Sequence, residues 1–405
     1  MLVPKLRFKR EDGTDYPEWT KQKLSAVSSR VTRKNKGNIT DIPLTIASLY
    51  GLVDQREYFK KKIASQNMEG YYLLHNGEFA YNKSHSKGFD FGAIKRLDRY
   101  DCGALSTLYI CFAVNNKVDS DFMTHYFDSQ KWNKEVSIRC AEGARNHGLL
   151  NISTNDFFDI DMVLPTDLEE QQKIADFLSN VDEVIAQSEA EVANLQQQKK
   201  AAMQKIFSQE VRFKREDGTS YPEWENVKFG SLIKEYRDRT SIENEDVLLS
   251  SAISGMFLNT ELFGHQRGKS NIGYLKINYG TLILSAQNLH LGNANVNLRF
   301  EHGIISPAYK TYHITNCNLY FMAQWIKREK TNQFFYNATT VGASQCRRNV
   351  DWNALYKQSI LIPHLEEQQK IADFLATYDE AISCAKQELD KWKELKKGLL
   401  QQMFA

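Results

Sequence analysis

Leu168-Glu-Glu-Gln-Gln-Lys-Ile-Ala-Asp-Phe-Leu178 recurs letter for letter as Leu365 to Leu375. Each copy opens a long helical pattern. From Ile174 the core slots fall at Leu178, Val181, Ile185, Ser188, Val192, Leu195, Lys199, Ala202 and Ile206. After the second copy they fall at Ile371, Leu375, Tyr378, Ile382, Ala385, Leu389, Trp392, Lys396, Leu399 and Met403. Alternating steps of four and three are the a/d seam of a coiled coil. About 40 residues at ~1.5 Å each predict two rods of roughly 60 Å.

Pro165 stops the strand-like run before the first rod, and Thr166 stands three residues before Glu169. That is the spacing of a capping box, in which two side chains satisfy free N–H groups of the first turn. The second start, Pro363-His364, lacks the threonine and predicts a weaker cap. Glu169-Glu170 and Glu366-Glu367 read as first-turn acids favoured by the helix dipole rather than as an acid–base pair.

A second repeat precedes each domain. Arg7-Phe-Lys-Arg-Glu-Asp-Gly-Thr-Asp-Tyr-Pro-Glu-Trp19 returns as Arg212 to Trp224 with a single change. Its Asp-Gly and Tyr-Pro steps mark turns. The order is tag, domain, rod, tag, domain, rod: a duplicated chain. The middle domains match faintly, through Gly103-Ala-Leu-Ser-Thr-Leu-Tyr109 and Gly303-Ile-Ile-Ser-Pro-Ala-Tyr309. A helix-like stretch follows each, 121–134 and 319–329. A polar loop comes next, at 144–148 and 344–348, and an apolar strand ending in proline closes each domain. The expected fold is α/β with a small mixed sheet in each of two globular domains. If the rods pair along their matching seams, the second runs back along the first, an antiparallel coiled coil with a pseudo-twofold axis.

The 405 residues suffice for two or three domains with their own cores. The formal charge is +2, unevenly placed: residues 167–208 carry −4 and 365–404 carry −2, so the rest holds about +8. Acidic rods and basic domains suggest that the domains bind a polyanion. The six cysteines, at 102, 111, 140, 317, 346 and 384, form no C-x-x-C pair, and no apolar run approaches a membrane span. A reduced, cytoplasmic protein without metal or membrane contact is the expectation.

The Glu-Glu-Gln-Gln-Lys-Ile-Ala-x-Phe-Leu starts after Pro165 and Pro363, the Tyr-Pro-Glu-Trp tags, the Gly-x-x-Ser-x-x-Tyr strands and the duplication together resemble the specificity (S) subunits of type I restriction-modification systems. The resemblance covers essentially the whole chain. It implies a first tag and target recognition domain over 1–165, a spacer helix over 166–208, a second tag and recognition domain over 209–363, and a second spacer helix over 364–405. Each recognition domain would read half of a split double-stranded DNA target. The helices would set the gap and dock two modification subunits that use S-adenosylmethionine to methylate adenine N6. Restriction subunits would add cleavage dependent on ATP and magnesium. This chain would bind no cofactor itself.

The residues agree with a reader lacking an engine. There is no Asn-Pro-Pro-aromatic or Asp-Pro-Pro-aromatic motif, no G-x-x-x-x-G-K-[ST] and no G-x-G-x-x-G. Polar, basic loops are the candidate DNA contacts: Lys83, His85 and Lys87; Arg145, Asn146 and His147; Gln287, Asn288 and His290; Ser344, Gln345, Arg347 and Arg348. Arginine forks suit guanine, amides suit adenine, and lysines suit phosphate. Because the two loop sets differ, an asymmetric split target is expected. The competing readings are a coiled-coil adaptor that binds protein and a self-contained nuclease or methyltransferase.

Overall fold

A computed structural model describes residues 3–48, 50–59, 67–140, 150–264, 270–344 and 347–405, with backbone alone at 341–344 and 347. The chain divides into two compact units, Met1–Ala190 with Lys386–Ala405, and Glu191–Ala385. Two long helices, Leu168–Phe207 and Leu365–Met403, pack together, and each unit takes part of both.

In the first unit, the central four-stranded sheet has the order Ser28–Arg30, Ile110–Val114, Phe79–Asn82, Ala93–Arg96, all antiparallel. A second sheet runs Gly51–Asp54, Pro43–Ala47, Cys102–Leu105, Tyr72–His75, and its middle pair is parallel. The mixed sheet expected from sequence is therefore present. The apolar closing strand, Asp161–Leu164, pairs with Thr20–Lys23 just after the tag. Phe79, Tyr81, Phe112, Phe127 and Phe157 fill the core, and the same cluster takes in Ile174 and Leu178 of one long helix, Met403 of the other, and Phe404 just past its end. Ion pairs Lys396–Asp182 (2.5 Å) and Lys393–Glu189 (2.6 Å) show the two helices antiparallel here.

In the second unit, the central sheet has the order Ile233–Tyr236, Tyr309–Ile314, Leu282–Ser285, Ala294–Val296. Ser359–Ile362 closes against Glu225–Lys228. The core cluster includes Phe229, Leu284, Tyr312 and Trp325, and it buries Ile206 together with Ile371 and Leu375. Lys199 meets Asp379 at 2.6 Å, again across antiparallel helices. Along the seam Val181, Val192, Ile382 and Leu389 are buried, whereas Ile185, Leu195, Trp392 and Leu399 are half-buried. The seam lysines do not simply extend into water, as their length alone would suggest. Each is held by an aspartate of the other helix.

The Gly-x-x-Ser-x-x-Tyr motif is a strand–turn–strand device. A Cβ on Gly103 would lie 2.4 Å from Leu44 Cδ1, and one on Gly303 would lie 2.5 Å from Leu249 Cδ1. The serine then folds the turn: Tyr109 N donates to Ser106 O, and Tyr309 N to Ser306 O, both at 3.2 Å.

Four expectations need correction. The first helix is capped by Asp167, whose Oδ1 accepts Glu169 N at 2.9 Å, and not by a Thr166 capping box. Glu170 and Glu367 are more than first-turn charges: both are fully buried, bound by Arg7 and Arg212 of the tags. The helix-like stretch 121–134 is broken into Ser120–Asp128 and Asn133–Arg139. Trp132 Nε1 takes the carbonyl of Phe127 at 2.9 Å and Gln130 turns left-handed, so the helix cannot continue. Its counterpart likewise divides into Leu319–Ile326 and Glu329–Asn337. Finally, the polar loop at 344–348 belongs to a hairpin, Thr339–Ser344 against Arg347–Val350.

Candidate nucleic-acid interface

The frame that carries the candidate loops is built from the two sequence repeats bound to each other. Glu170 accepts from Arg7 Nε (2.6 Å), Arg7 Nη2 (2.9 Å) and Trp19 Nε1 (3.1 Å). Glu367 accepts from Arg212 Nε (3.2 Å) and Nη2 (2.9 Å). Next in the motif, Gln171 donates to Pro165 O at 2.8 Å and accepts Asp119 N at 2.7 Å. Gln368 likewise donates to Pro363 O and accepts Asn318 N, both at 2.8 Å. Each glutamine thus ties the closing strand to the first turn of the helix after the central sheet. These bonds account for the buried glutamate and glutamine of each helix start and for the arginine of each tag; Trp224 Nε1, unlike Trp19 Nε1, has no partner among the described residues.

On this frame, each unit sends out a loop between the third and fourth strands of its central sheet. In the first unit it spans 83–92. Asn82 Oδ1 accepts Ser84 N at 3.0 Å, Ser86 pairs with Phe89, and Tyr81 Oη holds Phe91 O at 2.9 Å. Gly92 closes the loop at φ +82, where a Cβ would stand 2.1 Å from Asn82 O. His85 and Lys87 project into solvent and Lys83 is half-buried. His85 Nδ1 lies 3.5 Å from Asp90. Arg145, Asn146 and His147 lie outside the described residues. Leu150, immediately after that stretch, donates its N–H to Lys83 O at 2.9 Å.

In the second unit the loop spans 286–293 and contains a 3₁₀ turn, Leu289–Leu291. Ser285 Oγ accepts Asn288 N at 3.2 Å, and buried Leu289 anchors the turn. Gly292 has φ +87 and leaves room for Asn332, whose Oδ1 would be 2.6 Å from a Cβ. Gln287 and Asn288 are exposed. His290 is half-buried, and its Nδ1 has no partner among the described residues. Burial, and then the charge of Arg348, push its pKa below the usual histidine value.

The structure thus brings His290 and Arg348 into one neighbourhood. Arg348 is also engaged by its own hairpin: Nε donates to Thr339 Oγ1 at 2.7 Å, Nη2 to Thr339 O at 3.0 Å, and the guanidinium lies 4.0 Å from the Tyr336 ring centroid. Ser344 stands opposite Arg347 across the hairpin, and Gln345 lies outside the described residues. Beside Asn288 is a cavity of about 520 Å³ that also has Ser251, Asn259, Asn293 and Tyr309 in its wall. Ser251 Oγ accepts Asn295 Nδ2 at 2.6 Å and donates to Asn293 Oδ1 at 3.0 Å. Of the run Gly292-Asn-Ala-Asn-Val-Asn297, only Asn293 lines this cavity, and its amide is the sequence signal for the polar wall.

Loops made of amides, imidazoles and cations suit a polyanion that displays hydrogen-bonding edges. The described residues include no group of three or more His, Cys, Asp or Glu able to hold a metal ion. Comparison with known proteins supplies the family. The model described as the type I restriction modification DNA specificity domain matches residues 190–393, and the chain belongs to that family. It is 24% identical over 323 residues to the type I restriction enzyme MjaVIII specificity subunit of Methanocaldococcus jannaschii, covering 74% of this chain and 72% of that one. The S subunit of a type I restriction-modification system from M. genitalium has the same fold, with TM-score 0.54 at 13% identity over 100% of this chain and 99% of the other. A chain from a study of complex assembly and conformational transition in the type I R-M system gives 0.56 at 14% identity, over 96% and 98%.

Proposed function

We propose that each unit of this specificity subunit reads one half of a split, asymmetric double-stranded DNA target. The observation that carries this reading is a constant frame with variable loops. Tags and helix starts repeat nearly letter for letter and the strand turns keep their Gly, Ser and Tyr, while the loops at 83–92 and 286–293, equivalent in topology, differ in length and sequence, with lysines in the first and amides in the second. An internal duplication with a pseudo-twofold axis accounts for the repeats. The candidate contacts are Lys83, His85, Lys87 and Arg145, Asn146, His147 in the first unit. In the second they are Gln287, Asn288, His290, Ser344, Gln345, Arg347 and Arg348.

One small module discriminates each wrong base pair by only ~1–3 kcal/mol. Joining two through stiff helices makes the second half-site an intramolecular event at high effective concentration. The helix pair then fixes the gap and docks two modification subunits. Chemistry comes from those partners, with S-adenosylmethionine for adenine methylation and, in restriction subunits, ATP and magnesium for cleavage. The setting is the cytoplasm; no helix among the described residues is long and apolar enough to cross a membrane.

Selection of randomised duplexes by the chain with its modification subunits tests this. Replacing residues 20–165 by those of another family member should change one half of the selected motif and leave the other half and the gap intact. Change in both halves, or binding indifferent to sequence, would refute the reading.

A further inference from the structure

The second unit contains a groove of about 1000 Å³ that none of the candidate loops lines. Its walls are one face of the first long helix, the junction of Leu319–Ile326 with Glu329–Asn337, and the edge around Gly255 and Asn295. Seven lysines and arginines line it against three acids, Glu210, Glu329 and Asp379, and Arg299 is held by Glu261 at 2.8 Å. Asp379 is taken by Lys199 at 2.6 Å and Glu329 by Lys200 at 2.6 Å. Glu210 lies at the groove's edge, 4.0 Å from Lys205.

Lys327 and Arg328 stand at the junction without a carboxylate partner among the described residues. Lys327 Nζ donates to Ile253 O at 2.7 Å, and Arg328 Nε to Trp325 O at 3.2 Å. The Arg328 guanidinium rests over Phe207 (4.5 Å) and Trp325 (5.1 Å). Lys330 lines the same groove. Lys327 is exposed and Arg328 half-buried; the protein packed around them still pulls the Lys327 amine down to about 8 and the Arg328 guanidinium down to about 10. A half-buried guanidinium without counter-charge, beside two lysines that reach the same groove, is a cost that a bound anion would relieve.

The first unit differs at the matching place. There the residue ending the helix is Asp128, which takes Lys95 at 2.6 Å and faces Lys396 at 3.9 Å. The cationic junction is therefore particular to the second unit and is not required by the frame.

We propose that this groove is a phosphoryl-anion site built on Lys327, Arg328 and Lys330. The anion reaches it as the backbone of the duplex that this unit reads or as a free polyphosphate group. The first source rests on the DNA-reading function; the second does not.

The test uses the full chain and the variant Lys327→Gln/Lys330→Gln, whose side chains are exposed, so the fold is kept. Lys228→Gln/Lys234→Gln, exposed and outside the groove, is the control. Anisotropy with a non-specific duplex gives the slope of log K against log salt, and calorimetry with tripolyphosphate probes the DNA-free protein. Each lost phosphate contact lowers the slope by about 0.9. If DNA is the source, the groove variant loses about 2 from the slope and weakens every sequence alike, and the control does not. If free polyphosphate is the source, tripolyphosphate binds the wild type and not the groove variant, while the slope is unchanged. The proposal is overturned if both readouts match the wild type. It is also overturned if the variant instead loses assembly with the modification subunits, which would assign the groove to an acidic protein surface. Should the wild type bind no DNA, the DNA-reading function fails, and the calorimetry still decides the groove.

Discussion

Arg7→Ala tests whether the tag is a clasp that holds the first unit together. Glu170 is fully buried and has three donors, two of them on Arg7. Deleting the guanidinium leaves a carboxylate in the core with one indole N–H. Breaking a buried pair from one side costs ~3–5 kcal/mol. The Arg7 side chain is 16% exposed, so water can reach part of the gap and the loss should fall at the lower end, about 3 kcal/mol. With a urea slope of ~2–3 kcal/mol/M, the midpoint of the first unit should drop by about 1–1.5 M. Urea titration followed by hydrogen exchange on peptides from each unit separates the two transitions. The second unit should be unchanged. Replacing both partners, Arg7→Met with Glu170→Leu, should recover most of the loss, because two apolar groups leave no stranded charge. A loss below ~1 kcal/mol, or an equal loss in both units, would refute the clasp.

Three further outcomes are expected. Removing one seam pair by Lys396→Asp should destabilise the first unit by ~0.5–1 kcal/mol, since Asp182 is part-exposed and screened, and adding Asp182→Lys should recover part of the melting temperature but not all, because the new carboxylate still faces Asp128. Gly92→Ala should cost at least ~2 kcal/mol, because its Cβ would meet the backbone at Asn82 O and φ is +82; calorimetric melting checks this. Lys21 first, and then Lys23, hold the Asp161 carboxyl below the usual aspartate range. A depressed folded pKa gives stability that is complete above the unfolded value near 4 and is lost as pH falls through the folded value. Lys21→Met should therefore lower stability at pH 7 by ~0.2–1 kcal/mol and flatten its pH dependence below pH 4, read by denaturant titration at several pH values.

The long helices were legible because a seven-residue period over some 40 positions leaves few other readings. The closing strands were legible from Pro165 and Pro363. What the two repeats do for each other was not. Nothing local to Arg7 names Glu170 as its partner, although both repeats recur in step, and that joint recurrence was the available clue. The junctions at Ser129–Trp132 and Lys327–Arg328 were missed because helical spacing runs through them; the break comes from Trp132 capping Phe127 O and from tertiary packing. The 339–350 hairpin was missed because its polar residues read as loop. Gln287, Asn288 and His290 are candidates on composition alone, while the placement of Asn293 and Asn295 behind them depends on contacts with Ser251 of a neighbouring strand pair.

The most direct test of the account is to express the chain with its modification subunit in a host free of DNA methylation and map N6-methyladenine across the genome. A split, asymmetric motif with a fixed gap and one modified adenine on each strand is the predicted result. A stable complex that methylates no defined motif, or one that marks a continuous palindrome, would contradict it.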